Sequence, residues 1–270
     1  MLSVKGITKI YGGGKKAVDN ISFDVNDGQI VGFIGPNGAG KTTTLKMITG
    51  ILEADTGEIS IHGFDIKKDP LNAKRAFGFV PDSPDIFLRL KGIEYLNFMA
   101  DIYNVPAQER RERIETHAAQ FEMTDALNNK IISYSHGMRQ KIVLIGALMH
   151  KPHVWILDEP LTGLDPKSAY LLKEMMQQHV KEGKTVLFST HVLEVAEKLC
   201  DIVIIINAGK ILFNGELEQL KQKYRTGAND SLEEIFLRIT GADTPMGSPN
   251  ATGSSNAPGS SNGANGKAVV

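Results

Sequence analysis

The sequence predicts an α/β fold built on a buried, mostly parallel sheet, and three observations carry that prediction. Apolar runs of strand length alternate with helical stretches from residue 154 onward, a glycine-rich turn joins an apolar strand to a helix near residue 35, and another apolar strand ends in two carboxylates, Asp158 and Glu159. Strands separated by helices pair in parallel and are covered on both faces, so they read as unbroken apolar runs. The 270 residues, 41% hydrophobic, suffice for one large domain or two modest ones with a packed core.

Taken in order, residues 2–31 show strand-like alternation at Ile21, Phe23 and Val25, punctuated by Gly12-Gly-Gly14 and by Asn26-Asp-Gly28, which reads as a hairpin turn. An antiparallel β unit is expected there. Gln29 to Ile34 is an apolar strand that runs through the glycine turn into a helix expected over Lys41 to Ile51. From about Gly92 to Met149 the pattern is helical: Ile93, Leu96, Ala100 and Tyr103 share one face, and Ala107, Ile114, Ala118 and Phe121 share another. Glu109-Arg-Arg-Glu-Arg113 mixes both signs and reads as a solvated helix face. Strands return at Val154 to Leu157, Thr185 to Ser189 and Ile202 to Ile206. The last stretch, 242–270, is Gly, Ser, Asn, Ala and Pro with two charges and no aromatic, so a disordered tail is expected after a domain spanning 1–241.

Thirty basic against thirty-one acidic residues leave a net charge of −1, which argues against a broad footprint for nucleic acid or anionic lipid. The longest apolar runs, Ile142 to Met149 and Ile202 to Ile206, fall far short of the ~20 residues that cross a bilayer. The opening Met1-Leu-Ser-Val-Lys-Gly-Ile lacks the features of a secretion signal, and Cys200 is the single cysteine, so a reducing cytosolic setting is expected. The glycosylation-like triplets at Asn20, Asn229 and Asn250 are then chance matches.

Gly35-Pro36-Asn37-Gly38-Ala39-Gly40-Lys41-Thr42 fits G-x-x-x-x-G-K-[ST], between a strand and a helix as that motif requires. Its glycines let successive N–H groups and the helix N-terminus face a nucleotide's phosphates, Lys41 adds a point charge, and the Thr42 hydroxyl is a ligand for Mg²⁺. Asp158 at a strand end would hold Mg²⁺, and Glu159 would accept a proton from, or orient, the attacking water. Alone, a strand ending in Asp-Glu is common, serving as a turn or helix cap. Together with the glycine loop it becomes specific. His191 closes another buried strand, where it could reach a γ-phosphate.

In these motifs the chain resembles the nucleotide-binding subunits of ATP-binding cassette (ABC) transporters, from about Leu2 to Gly241. Tyr11, Gly35 to Thr43, Tyr134 to Met138, Leu157 to Pro160, Leu164-Asp165 and His191 occur in the family's order. The resemblance implies a P-loop NTPase with a RecA-like core, an N-terminal antiparallel β subdomain and an inserted helical subdomain at about 88–150. It implies ATP and Mg²⁺ as cofactors, with Glu159, His191 and Lys41 as catalytic residues. Tyr11 would stack on adenine, although a tyrosine there can also be simple packing. Ser135 and Gly137 would complete a second protomer's ATP site, and Asp165 would lie between the two sites of a head-to-tail dimer. A separate transmembrane permease is the implied partner, on the cytoplasmic face of the membrane, with no nucleic acid and no direct membrane insertion.

Two departures stand out. The family signature reads Leu-Ser-Gly-Gly-Gln where this chain has Tyr-Ser-His-Gly-Met, which puts His136 at a crowded position. Asp82 replaces the glutamine that follows a proline in the family; its carboxylate can still ligate Mg²⁺. Both resemble the exporter branch for peptides, antibiotics and bacteriocins. The alternative is a soluble relative acting on ribosomes or DNA, but those carry two nucleotide domains or a long coiled coil, and this chain has one glycine loop and neither. A GTPase lacks support because no Asn-Lys-x-Asp occurs, and a catalytically dead subunit is disfavoured because Lys41, Asp158, Glu159 and His191 are all present.

Overall fold

The structure, a computed structural model, describes residues 1–224 and 231–241. The stretch 242–270 expected as a tail lies outside the described residues. The chain opens with β1 (Leu2–Tyr11) and β2 (Lys15–Val25), joined by a turn over Gly12–Gly14, and continues into β3 (Ile30–Ile34) and α1 (Lys41–Ile48). Then come β4 (Thr56–Ile61), β5 (Phe64–Asp65), α2 (Pro70–Ala76) and β6 (Phe77–Val80). Three helices follow, α3 (Gly92–Ile102), α4 (Ala107–Gln120) and α5 (His136–Leu148). The remainder alternates: β7 (Val154–Asp158), α6 (Pro166–Lys181), β8 (Thr185–Thr190), α7 (Leu193–Leu199), β9 (Ile202–Asn207), β10 (Lys210–Glu216), α8 (Leu217–Tyr224) and α9 (Leu232–Thr240).

Among the described residues the strands form two sheets, an antiparallel one ordered β2-β1-β4-β5 and a mixed one ordered β10-β9-β3-β8-β7-β6. In the second, every pairing is parallel except β9 with the edge strand β10. The expected α/β fold with a mostly parallel core is therefore present. All five residues of β3 are buried: Val31 and Phe33 pack with the antiparallel sheet and α1, while Ile30 and Ile34 face the other side. That two-sided burial is why β3 shows no alternation.

Three expectations need correction. Asn26-Asp-Gly28 does not close a hairpin, since β2 and β3 belong to different sheets. The turn instead bonds to the start of β8: Gly28 N–H donates to the Lys184 carbonyl at 2.9 Å, and the Thr185 hydroxyl donates to the Asn26 carbonyl at 3.2 Å. Burying both faces of β3 outweighs the local turn preference. Secondly, α1 ends at Ile48 rather than Ile51, because Thr49 caps it and Gly50 turns left-handed at φ +68°. Finally, β4, β5, β6 and β10 have no counterpart among the expected strands; the antiparallel sheet takes its second half from residues beyond the glycine loop.

The pairing order sets the site. β3, β8 and β7 lie side by side and parallel, with Ile34 opposite Thr190 and Asp158 opposite Ser189. Their C-terminal ends, and the loops beyond them, therefore converge at one edge, where open α/β sheets bind ligands.

Candidate active site at the carboxyl ends of the parallel strands

The glycine loop after β3 is shaped by close backbone approaches. A Cβ at Gly35 would sit 2.4 Å from the Ile206 carbonyl oxygen, and one at Gly40, which is left-handed at φ +112°, would sit 2.6 Å from the Ala17 carbonyl. Only glycine fits both positions. The loop leads into α1, so the helix N-terminus opens toward a cavity of about 610 Å³.

Lys41 is only 6% exposed, and its ammonium donates to the Gly35 carbonyl at 2.8 Å and lies 3.4 Å from Glu159 Oε1. Glu159 sits just past β7 with a left-handed backbone, φ +48°, held there by its N–H donating to the Ser189 hydroxyl at 2.9 Å. Its other oxygen, Oε2, is 3.0 Å from Nδ1 of His191, the residue after β8. Lys41, Glu159 and His191 thus form one connected polar chain from three neighbouring strand ends.

Asp158 lies one residue back and is buried, 1% exposed. Burial, and then the charges of Asp82 and Glu159, hold its carboxyl above the usual carboxylate range, against hydrogen bonding from Ser189 and the adjacent Thr42. Its Oδ1 accepts from the Ser189 hydroxyl at 2.6 Å, while Oδ2 has no hydrogen-bond partner. An unpaired buried carboxylate oxygen beside a threonine hydroxyl fits a hard divalent cation. Among the described residues no group of three or more His, Cys, Asp or Glu could hold a metal ion by itself. The donor set instead fits Mg²⁺, which keeps waters and substrate phosphate oxygens as most of its ligands.

Of the residues singled out from the sequence, Tyr11, Pro36, Asn37, Gly38, Gly40, Lys41, Thr42, Thr43, Asp82, Glu159 and His191 line the cavity. Gly35, Ala39 and Asp158 do not line it. Tyr11 is 46% exposed at the cavity, so core packing is not its role. Lys15 to Ala17, Thr162 and the Ala208-Gly209 turn also line it and were missed. Gly12-Gly-Gly14 marked the turn that delivers the two lysines, but nothing local told that this turn folds over the glycine loop. The Ala208-Gly209 turn is tied in by the Gly209 N–H donating to the Ala39 carbonyl at 2.9 Å.

Ser135, Gly137 and Asp165 are not brought to this cavity. Ser135 is an exposed N-cap of α5, its hydroxyl accepting from the Met138 N–H at 3.3 Å. His136 begins α5 without a left-handed backbone, and its imidazole covers Gly163: a Cβ there would fall 2.3 Å from His136 Cδ2. The crowding expected at this departure is absorbed by Gly163 on the opposing loop. Asp165 caps α6, accepting from the Ser168 N–H and hydroxyl at 2.9 and 2.7 Å and from Lys141 at 2.9 Å. The Lys141 ammonium, ahead of the Ser168 bonds, holds its carboxyl far below the usual range.

Comparison with known proteins shows the family of the chain. The family model described as ABC transporter matches residues 18–162. The ABC transporter ATP-binding protein NatA of Bacillus subtilis (strain 168) is 38% identical over 223 residues, 82% of this chain and 89% of that protein. A solved ATP-binding subunit of an ABC transporter superposes with a TM-score of 0.84 at 32% identity, covering 89% of this chain and 99% of the other. The dimeric post-hydrolysis structure of the ATP-binding cassette MJ0796 bound to ADP and Pi gives 0.73 at 25% identity, covering 80% and 99%. The chain belongs to the ABC transporter family, as an ATP-binding subunit with ATPase activity.

Proposed function

We propose that this chain hydrolyses ATP·Mg²⁺ in the cavity at the strand ends, as half of a head-to-tail dimer that powers a separate transmembrane permease at the cytoplasmic face of the membrane. The connected set Lys41, Glu159 and His191, with contacts of 3.4 and 3.0 Å, carries this reading.

In the apo arrangement Lys41 is occupied by a loop carbonyl and by Glu159. Phosphate oxygens offer it stronger charge-assisted bonds, and shifting to them frees Glu159 to orient the attacking water and take its proton. His191, on the far side of Glu159, fixes that carboxylate and faces the end of the phosphate chain. Thr42 and Asp158 would hold Mg²⁺, with Asp82 at its margin; when bound, the ion neutralises charge on the phosphate oxygens. Tyr11 offers an exposed ring for the base. The loop residues from Gly35 to Thr43 supply N–H groups to the phosphates.

Ser135 and Gly137 would serve the partner's nucleotide, a reading supported by the exposure of Ser135 and by neither residue lining its own chain's cavity. Asp165, on the same side through Lys141, would sit between the two sites. The ATPase domain would span 1–241, with residues 88–150 as its helical subdomain. A permease partner is supported by family membership, and among the described residues no helix is long and apolar enough to cross a membrane. The exporter branch is supported by His136 and Asp82 at the two departures. Action on ribosomes or nucleic acid is not favoured.

The test is turnover by chain variants reconstituted with the neighbouring-gene permease in vesicles: ATP hydrolysis stimulated by the permease and lost in Lys41→Ala supports the reading. Permease-independent, unstimulated hydrolysis would remove the transport half of it.

A further inference from the structure

Strand β8 holds Glu159 from two directions. Its register sets Ser189 opposite Asp158, and the Ser189 side chain, 0% exposed, reaches both acidic residues at the end of β7. The hydroxyl donates to Asp158 Oδ1 at 2.6 Å and accepts from the Glu159 N–H at 2.9 Å. Just past the strand, His191 meets the Glu159 carboxylate at 3.0 Å. Ser189 does not line the nucleotide cavity, so any part it takes in hydrolysis runs through these neighbours.

A serine hydroxyl has one hydrogen and two lone pairs. Giving the hydrogen to Asp158 and a lone pair to Glu159 makes the two bonds compatible. The Glu159 backbone is left-handed at φ +48°, a region that a non-glycine residue keeps only where its surroundings impose it. The Asp158 carboxylate has Oδ1 taken and Oδ2 unpaired, which fixes its orientation and leaves one oxygen for a cation. A strand buried on both faces ordinarily carries apolar residues, as Leu187 and Phe188 show beside this position. Packing alone therefore does not call for a hydroxyl at residue 189.

We propose that Ser189 is a positioning residue for ATP hydrolysis: through one hydroxyl it holds the Glu159 main chain in its left-handed turn and orients Asp158 with Oδ2 open to Mg²⁺. This rests on the reading of Glu159 as the group that orients the attacking water. Glu159 is then fixed at both ends from β8, its main chain by Ser189 and its carboxylate by His191.

The test uses the full chain with Ser189→Ala, which removes only the hydroxyl, and Ser189→Thr, which keeps one. In Ser189→Ala, kcat should fall about 10- to 100-fold, and Mn²⁺ standing in for Mg²⁺ should bind the ADP-loaded chain about tenfold more weakly, read by electron paramagnetic resonance. ATP affinity in EDTA should stay within about threefold of wild type, since the glycine loop is untouched, and Ser189→Thr should recover turnover to within about threefold. A purely structural serine would lower the melting temperature and leave kcat and Mn²⁺ affinity alone. Ser189→Ala at the wild-type rate while Glu159→Gln is slow overturns this proposal and leaves the reading of Glu159 standing. Glu159→Gln at the wild-type rate removes that reading, and the proposal with it. Unchanged Mn²⁺ affinity in Ser189→Ala, loss of its ATP affinity in EDTA as large as the loss of turnover, or Ser189→Thr as slow as Ser189→Ala would each overturn the proposal as well.

Discussion

Asp158 and Glu159 are adjacent in sequence yet meet different surroundings. The Asp158 carboxylate is buried with one oxygen unpaired, so in the apo protein it costs stability that a cation would offset. Asp158→Asn should therefore raise the apo melting temperature by about 2–4 °C, on the scale of ~1 kcal/mol for a chain of this size, while abolishing Mg²⁺-dependent turnover. Calorimetry without nucleotide checks the first half; a lower melting temperature would mean the carboxylate is satisfied in a way the structure does not show. Glu159 is linked on both sides, to Lys41 and His191. Replacing it by glutamine keeps the shape but removes the proton acceptor, so ATP affinity should hold while kcat falls by roughly 10²- to 10⁴-fold. Equilibrium binding and single-turnover hydrolysis separate the two. These residues were legible beforehand because each chemistry demands a residue type at a strand end or in a glycine loop. Lys15 and Lys16 were not, since their relevance arises from a fold-back that no local spacing encodes.

The elements were legible where one physical demand dominated. β3, β7, β8 and β9 are buried on both faces and announced themselves as apolar runs, and the mixed-charge face of α4 was read as solvated. The reading failed where long-range pairing won: the Asn26-Asp-Gly28 turn joins two sheets, and β4 and β5 join the first sheet from across the glycine loop. α5 shows a local device with a distant consequence. Ser135 caps it, Gly137 packs on the Gly163 carbonyl, and Lys141 holds Asp165, so its N-terminus is tied to the loop before α6. Ser135→Arg removes a cap worth about 1 kcal/mol, which should lower the melting temperature by only a few degrees. Nucleotide affinity of the isolated chain should be unchanged and hydrolysis lost, as read by nucleotide titration and phosphate release.

Over the whole molecule, buried imidazoles set the acid response. Burial pushes both His150 and His179 down to about 4. Unfolding lets each bind a proton below the usual value near 6.5, so the unfolded state binds more protons and stability falls with pH from there to about 4. Exposed Asp27, where partial desolvation is outweighed by bonds from the N-terminal amine and His153 that bring it to about 2, contributes stability that is lost only below about pH 4. Melting temperature should thus be flat above pH 6.5 and decline between 6.5 and 4, and His150→Gln with His179→Gln should flatten that decline; an unchanged slope would assign it to other groups.

If each ATP site needs the α5 turn of a second copy, sedimentation equilibrium will show it. With ATP and Mg²⁺, Glu159→Gln should sediment at twice the chain mass. Adding Ser135→Arg to the same chain should return it to a monomer that still binds ATP. A nucleotide-loaded Glu159→Gln chain that stays monomeric, or a dimer that persists with Ser135→Arg, would contradict the account.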